Sequence, residues 1–202
     1  MVIEKTPSCR GRRRDETIDA RVLGITSRHL AERGFAAISF SAIAEEANTT
    51  RQALYRRWPT KERLVGDAIR VAGNRDAICL SDDPRADLEH ELALWIEADS
   101  DEGFAMAGAM LARETPEDAR DCYREHVLAP RRQRMTDILS HAQALRRIDA
   151  AADVAGAVGV AIGAAYVAHL SGAIGTDWPA RTAALVWRAV GGTELSASDL
   201  PS

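Results

Sequence analysis

Apolar positions recur three and four residues apart along most of this chain, the spacing of one helix face. In residues 15–33, Ile18, Val22, Ile25 and Leu30 share such a face. Gly34 follows as a helix-closing residue, and Phe35 and Ile38 lead back to the interior. Ser39 is placed to cap a short second helix reaching about Ala47. A third runs from about Thr50 to Arg57, and Pro59 stops it. Thr60 caps a fourth, in which Leu64, Ala68, Ile69 and Ala72 face inward.

Later segments are longer. One beginning at Pro84 carries Leu88, Leu92, Trp95 and Ile96, and Phe104–Leu111 is rich in Met and Ala. Thr115-Pro116-Glu117-Asp118 reads as a start signal, with a capping Thr, Pro in the first turn and acids at the positive dipole end. Its helix extends to about Ala144, with a kink expected at Pro130. Residues 150–174 form an Ala/Gly-rich helix, and Trp178–Val190 forms the last, with Pro179 in its first turn. Alternating β-branched runs are scarce. The pattern predicts an all-α chain of about nine helices, divided into a disordered basic arm (1–14), a compact helical unit (15–75), a second helical domain (76–195) and a frayed tail (196–202).

Charge sharpens that division. The net charge is −4, yet residues 1–75 hold 15 Lys and Arg against 9 Asp and Glu, and the remainder holds 11 against 21. A basic module joined to an acidic one points to a polyanionic partner for the first part alone. Val154–Ala168 is a 15-residue stretch without charge, nine of its members being Ala or Gly. A membrane span needs about 20 predominantly apolar residues, so a buried helix is expected and no membrane partner. The N-terminus lacks the apolar core of a signal peptide. Cys9, Cys79 and Cys122 lie 70 and 43 residues apart. That spacing suits neither a metal knuckle nor a redox pair, and reduced thiols in a cytoplasmic protein are expected. His90, His126, His141 and His169 lack paired ligand spacing. No metal and no cofactor is expected.

Between Phe40 and Trp58 the spacing is that of a helix-turn-helix. Ala44 is the small residue where two helices cross. Four residues on, Asn48 occupies a turn position that often requires positive φ, which Gly tolerates best and Asn next. Six residues further, Leu54 is the large apolar group that packs back, supported by Ile43 and Ala47. On a wheel at about 100° per residue, Arg51, Gln52, Tyr55 and Arg56 fall within one arc of about 140°, and Leu54 and Trp58 fall outside it. Arg can bond guanine, and Gln adenine, through two hydrogen bonds each. Tyr55 carries a hydroxyl on a rigid ring, suited to phosphate. Thr49, Thr50 and Thr60 lie at helix starts, where free N–H groups favour phosphate, and Lys61 adds a cation there.

These residues carry a resemblance. Residues 21–65, RVLGITSRHLAERGFAAISFSAIAEEANTTRQALYRRWPTKERLV, resemble the DNA-binding domain of the TetR/AcrR family of bacterial transcription regulators. LAERGF, the I-A-x-x-A pattern at Ile43–Ala47 and LYRRWPTKE are the most specific pieces. The segment YREHVLAPRRQRM (123–135) resembles one subgroup of the family's C-terminal domains. The resemblance implies a helix-turn-helix domain, a helical domain for ligand binding and dimerisation, and repression of a double-stranded DNA operator relieved by a small molecule. It implies phosphate contacts by Tyr55 and Lys61 and base contacts by Arg51 and Gln52. Two departures stand out. Asn48-Thr49-Thr50 replaces the frequent Gly-Val-Ser, and His29 occupies a usually apolar position.

In the second domain, Trp95, Met106, Met110, Tyr123, Tyr166 and His169 are candidates to line the site of an unknown effector, since Met and aromatic groups adapt to varied apolar ligands. Gly156, Gly159 and Gly163 form a stripe on one helix that permits close approach of another, the candidate homodimer interface. The expected function is a repressor released from a near-palindromic operator by an apolar or amphipathic ligand. A helix-turn-helix activator or regulator without an effector is the alternative. A helical enzyme with a DNA-binding module is a third reading, which no nucleophile–base motif, phosphate loop or carboxylate cluster supports.

Overall fold

The computed structural model describes residues 10–73, 80–98 and 101–193. Among them the elements are α1 (Arg10–Arg33), a 3-10 turn (Phe35–Ala37), α2 (Phe40–Glu46), α3 (Arg51–Arg57), α4 (Lys61–Gly73), α5 (Pro84–Ala98), α6 (Asp101–Leu111), α7 (Glu117–Tyr123), a π turn (Arg124–Leu128), α8 (Ala129–Ala144), α9 (Val154–Leu170) and α10 (Trp178–Ala189). No strand occurs among the described residues, and the fold is all-α. α7, the π turn and α8 follow one another without a break, so the described residues hold nine helical stretches besides the 3-10 turn. The arm expected over residues 1–14 is partly helix, because α1 already includes Arg12–Arg14. Residues 1–9 and the expected tail lie outside the described residues.

The chain forms two compact units. One joins α1–α4 to Ala105–Val127, and the other joins residues up to Phe104, from α5 onward, to Leu128 and beyond. In the first, α1 packs on α4, and α2 packs on both α1 and α3. Val22, Leu30, Ile43, Leu54, Leu64, Val65 and Ile69 are wholly buried. Each such side chain stabilises the fold by about 1.5–3 kcal/mol relative to exposure. Ala72 was expected to face inward; it is exposed, one turn beyond the last buried position of α4. In the second unit, α5 packs on α8 and α10, and α9 on α8 and α10. Its core holds Leu92, Trp95, Met135, Ile138, Leu139, Ile162 and Trp187.

The helix expected from Thr115 to Ala144 is interrupted upstream of its proline. Pro130 has no N–H, and its ring crowds the carbonyl four residues back. That carbonyl belongs to His126, within the π turn Arg124–Leu128, where a wider turn relieves the conflict. Thr115 is not the cap. Pro116 holds that position, while Thr115 Oγ1 donates to the Ala109 carbonyl at 2.6 Å and closes the bend after α6. No described helix is long and apolar enough to cross a membrane.

α4 also packs on α7. Gly66 faces the Cys122 sulfur, and at Gly73 a Cβ would run into the main-chain carbonyl of His126. The last turn of α4 meets the π turn backbone to backbone. Gly73→Ala must displace one of the two, so a loss of about 1–3 kcal/mol is expected. Gly108→Ala, in α6 with open space around its Cβ, is expected to gain about 0.5–1 kcal/mol from helix propensity. Urea unfolding of both variants checks the contrast.

Candidate DNA-binding site

The turn between α2 and α3 is built as its residue types require. Ala47 closes α2, and Asn48 adopts φ 52° in the left-handed region. The Thr49 N–H returns to the Ala44 carbonyl at 2.9 Å. Thr50 caps α3, its Oγ1 accepting from the Ala53 N–H at 3.1 Å. Asn48-Thr49-Thr50 thus supplies both the left-handed residue and the cap. Thr60 does the same for α4, with Oγ1 accepting from the Arg63 N–H at 3.2 Å.

His29 is buried, but its polarity is used. Nε2 lies 2.9 Å from Glu46 Oε2, and Arg28 pairs with the other carboxylate oxygen. Arg21 Nη1 donates to the Ala47 carbonyl at 3.3 Å, where the C-terminal end of α2 carries partial negative charge. Three polar residues of α1 therefore hold the far end of α2. Desolvation pushes the Glu46 carboxyl upward, but His29 and Arg28 outweigh it and leave the pKa below 4.5. This tie is complete above the ordinary carboxylate range and is lost as pH falls through the lowered value.

The outward face of α3 carries Arg51, Gln52, Tyr55 and Arg56, all exposed. Leu54 is fully buried beneath them, as are Ile43 and Ala47 of the α2 side. Arg57 faces away and pairs with Asp19 of α1 at 2.7 Å. Trp58 is buried, its Nε1 donating to Asp67 Oδ2 at 3.0 Å. Tyr55 stacks on Phe40, with ring centroids 4.5 Å apart and planes within 2°. Arg51 lies over the Tyr55 ring at 5.2 Å, and its Nη2 donates to the hydroxyl at 3.1 Å. Thr50 and Thr60 are exposed and Thr49 is half-buried. Lys61 is committed within the chain, donating to the Ala36 carbonyl at 3.0 Å and sitting 4.5 Å from the Phe35 ring centre. Burial lowers its pKa below 10.5, against an upward pull from Glu62. Phe40, Arg21 and Glu46 were not legible as parts of this site. The i, i+4 spacing of Arg51 and Tyr55 signals their pairing, but Phe40 reaches them only through the turn.

The six candidate effector residues divide between the two units. Trp95, Tyr166 and His169 gather around Phe104 in the second: Phe104 stacks on His169 at 4.1 Å and meets Tyr166 edge-on at 5.6 Å, and Trp95 meets Tyr166 edge-on at 5.9 Å. Arg131, itself buried, lies 5.3 Å from the Trp95 ring centre. Met106, Met110 and Tyr123 are buried in the first unit. Of the glycines on α9, Gly156 and Gly163 are exposed and Gly159 is half-buried. A Cβ at Gly159 or Gly163 would meet nothing within 4 Å, so neither serves close packing inside the chain. At Gly156 it would meet the Asp153 carboxylate that caps α9. Among the described residues no His, Cys, Asp and Glu cluster could hold a metal ion.

A short helix held by its predecessor, with a basic outward face and capped ends, defines a helix-turn-helix DNA-binding module on an all-helical chain. Residues 25–68 match the family pattern described as "Bacterial regulatory proteins, tetR family". A crystal structure of the TetR family transcription regulator SCO0332 is 26% identical, with 88% of this chain and 99% of that one covered at a TM-score of 0.58. A protein from Rhodococcus sp. described as a TetR-family transcriptional regulator is 19% identical, with 87% and 99% covered at a TM-score of 0.67. A transcriptional regulator from Saccharomonospora viridis, solved in complex with choline, is 16% identical, with 85% and 94% covered at 0.64. No curated protein matches the sequence. The chain has the fold of a TetR-family transcriptional regulator.

Asn48 tests the turn. An Ala at φ 52° carries the left-handed penalty without the local hydrogen bonding of an Asn side chain, about 1–2 kcal/mol. Asn48→Ala should lose roughly that much stability in urea unfolding, and Asn48→Gly should lose little.

Proposed function

We propose that the protein is a transcriptional repressor that binds a near-palindromic operator as a two-fold homodimer and leaves it when a small apolar or amphipathic ligand binds. The observation that carries this reading is the outward face of α3, where Arg51, Gln52, Tyr55 and Arg56 stand exposed over a buried Leu54. Arg51 and Gln52 read bases. Thr49, Thr50, Tyr55, Arg56, Thr60 and Lys61 hold phosphates, and Lys61 exchanges the Ala36 carbonyl for a phosphate oxygen as DNA arrives.

A seven-residue recognition helix spans too few bases for useful specificity, so two must be held about one turn of DNA, or a multiple, apart. The surface for that lies on α9 and α10. Gly156, Val160, Gly163, Val167 and Leu170 are exposed and fall within an arc of about 80°. Val160, Val167, Leu170 and Leu185 are 60–85% exposed. An apolar stripe of this kind is what an isologous helix contact covers. Trp95, Tyr166 and His169 are the proposed effector contacts in the second unit, and Met106, Met110 and Tyr123 those in the first. The choline complex of the Saccharomonospora viridis protein and a neighbour described as a flavonoid-responsive regulator favour a small-molecule effector. The ligand must bind the DNA-incompetent arrangement more tightly, and operator DNA must then weaken ligand binding by the same factor.

Binding measured from 50 to 200 mM salt should fall by about 10³–10⁵ for six to ten phosphate contacts. Selection from a randomised duplex library should show that Arg51→Ala and Gln52→Ala each relax preference at one or two base pairs, at about 1–3 kcal/mol. Lys61→Ala should weaken all duplexes alike. Unchanged preferences in both readout variants would remove α3 from the recognition role.

Gly163→Leu tests the dimer. The site is open within the chain, so the subunit should fold normally and become monomeric by light scattering, with operator affinity lost. A stable dimer with full affinity would place the interface elsewhere. A thermal-shift screen of small molecules, followed by release of the selected duplex, separates this reading from a regulator without an effector.

A further inference from the structure

Phe40 stands at the first position of α2, in a different helix from the base-reading face, and no sequence pattern connects it with DNA. Its ring lies parallel to that of Tyr55, 4.5 Å away and within 2°. Tyr55 in turn carries the Arg51 guanidinium 5.2 Å from its ring centre and accepts from Arg51 Nη2 at 3.1 Å. Phe40 is buried, whereas Tyr55 is 42% exposed and Arg51 is exposed. The three form one stack that runs from the interior of the unit to its DNA-facing surface.

We infer that Phe40 is a positioning residue for base readout, acting through Tyr55 to aim Arg51. The inference rests on the reading that Arg51 contacts bases. An exposed arginine on its own samples many rotamers, and a partner that fixes the guanidinium plane reduces the freedom lost on binding. Tyr55 provides the plane by cation–π contact and the register by its hydroxyl oxygen. A tyrosine on a helix surface turns about its own side-chain bonds, however. The buried Phe40 ring, held by its helix, removes that freedom.

The hydroxyl adds a second consequence. Arg51 has only donors, so it uses a lone pair of the Tyr55 oxygen and leaves the phenolic hydrogen available. That hydrogen suits a phosphate oxygen. One ring then couples a backbone contact to the orientation of a base contact, and both depend on Phe40.

The test uses the full chain, the best duplex selected from a randomised library, and its single-base variants. Phe40→Leu keeps an apolar side chain but removes the ring. Its affinity for the best duplex should fall about 2- to 30-fold, the range of a cation–π contact from exposed to desolvated. Affinity for duplexes altered at the base pairs read by Arg51 should fall less, by the share of the phosphate contact alone, so discrimination shrinks at those pairs. The slope of log affinity against log salt should stay as in the wild type, because no cation is removed. Phe40→Tyr, which retains the ring, should restore discrimination. Tyr55→Leu cuts the same stack at an exposed position and should shrink the same discrimination, which keeps the test open if Phe40→Leu fails to fold. If Phe40→Leu and Tyr55→Leu weaken every duplex equally, or none, while Arg51→Ala alters preference, Phe40 has no positioning role and the readout assignment stands. If Arg51→Ala leaves preference unchanged, the readout assignment fails and this inference falls with it.

Discussion

α3 has seven residues and cannot sustain itself, since isolated helices shorter than about 12–15 residues are marginal in water. What keeps it formed is the burial of Leu54 where α3 packs on α2. That contact requires a sharp reversal of the chain, and the reversal requires a left-handed residue at Asn48. Capping by Thr50 satisfies one N–H at the start, and Trp58 anchors the other end through Asp67. The direction of every outward side chain of α3 follows from these constraints, because a helix pinned on its inner face has its outer face determined.

The same unit shows how charge is divided by role. Arg21, Arg28 and Arg57 are occupied within the protein, at the Ala47 carbonyl, Glu46 and Asp19. Arg51 and Arg56 remain outward. Counting basic residues in the first 75 positions therefore overstates the charge left available at the surface of this unit. Lys61 lies between these groups. Its ammonium already has a carbonyl and an aromatic ring, and burial disfavours its charge. A phosphate would have to replace those contacts, so its contribution to binding is a difference between two favourable states and smaller than the contact alone suggests.

The π turn at Arg124–Leu128 has a similar logic. Pro130 imposes a local conflict, and the wider turn that absorbs it presents the His126 carbonyl to α4. Only a residue without a Cβ fits there, and Gly73 supplies it. A glycine and a main-chain carbonyl 53 positions apart thus form one contact, each without an evident purpose when taken alone.

Short-range pattern determined most of the local structure. Apolar periodicity located the helices because a buried stripe repeats at the helical period, and Asn48, Thr50 and Thr60 had readable roles because caps and left-handed turns depend on a few neighbouring atoms. The shared face of Arg51, Gln52, Tyr55 and Arg56 followed from helix geometry alone. Tertiary structure decided what depends on distant partners. It committed Lys61 to Ala36, gave buried His29 a carboxylate, set Phe40 behind Tyr55, moved Thr115 from a cap to a bend and assigned Met106, Met110 and Tyr123 to a different compact unit from Trp95, Tyr166 and His169. The physical reason is range. Propensity and capping act over about one turn of chain, whereas burial and side-chain pairing depend on which helices the whole fold brings together.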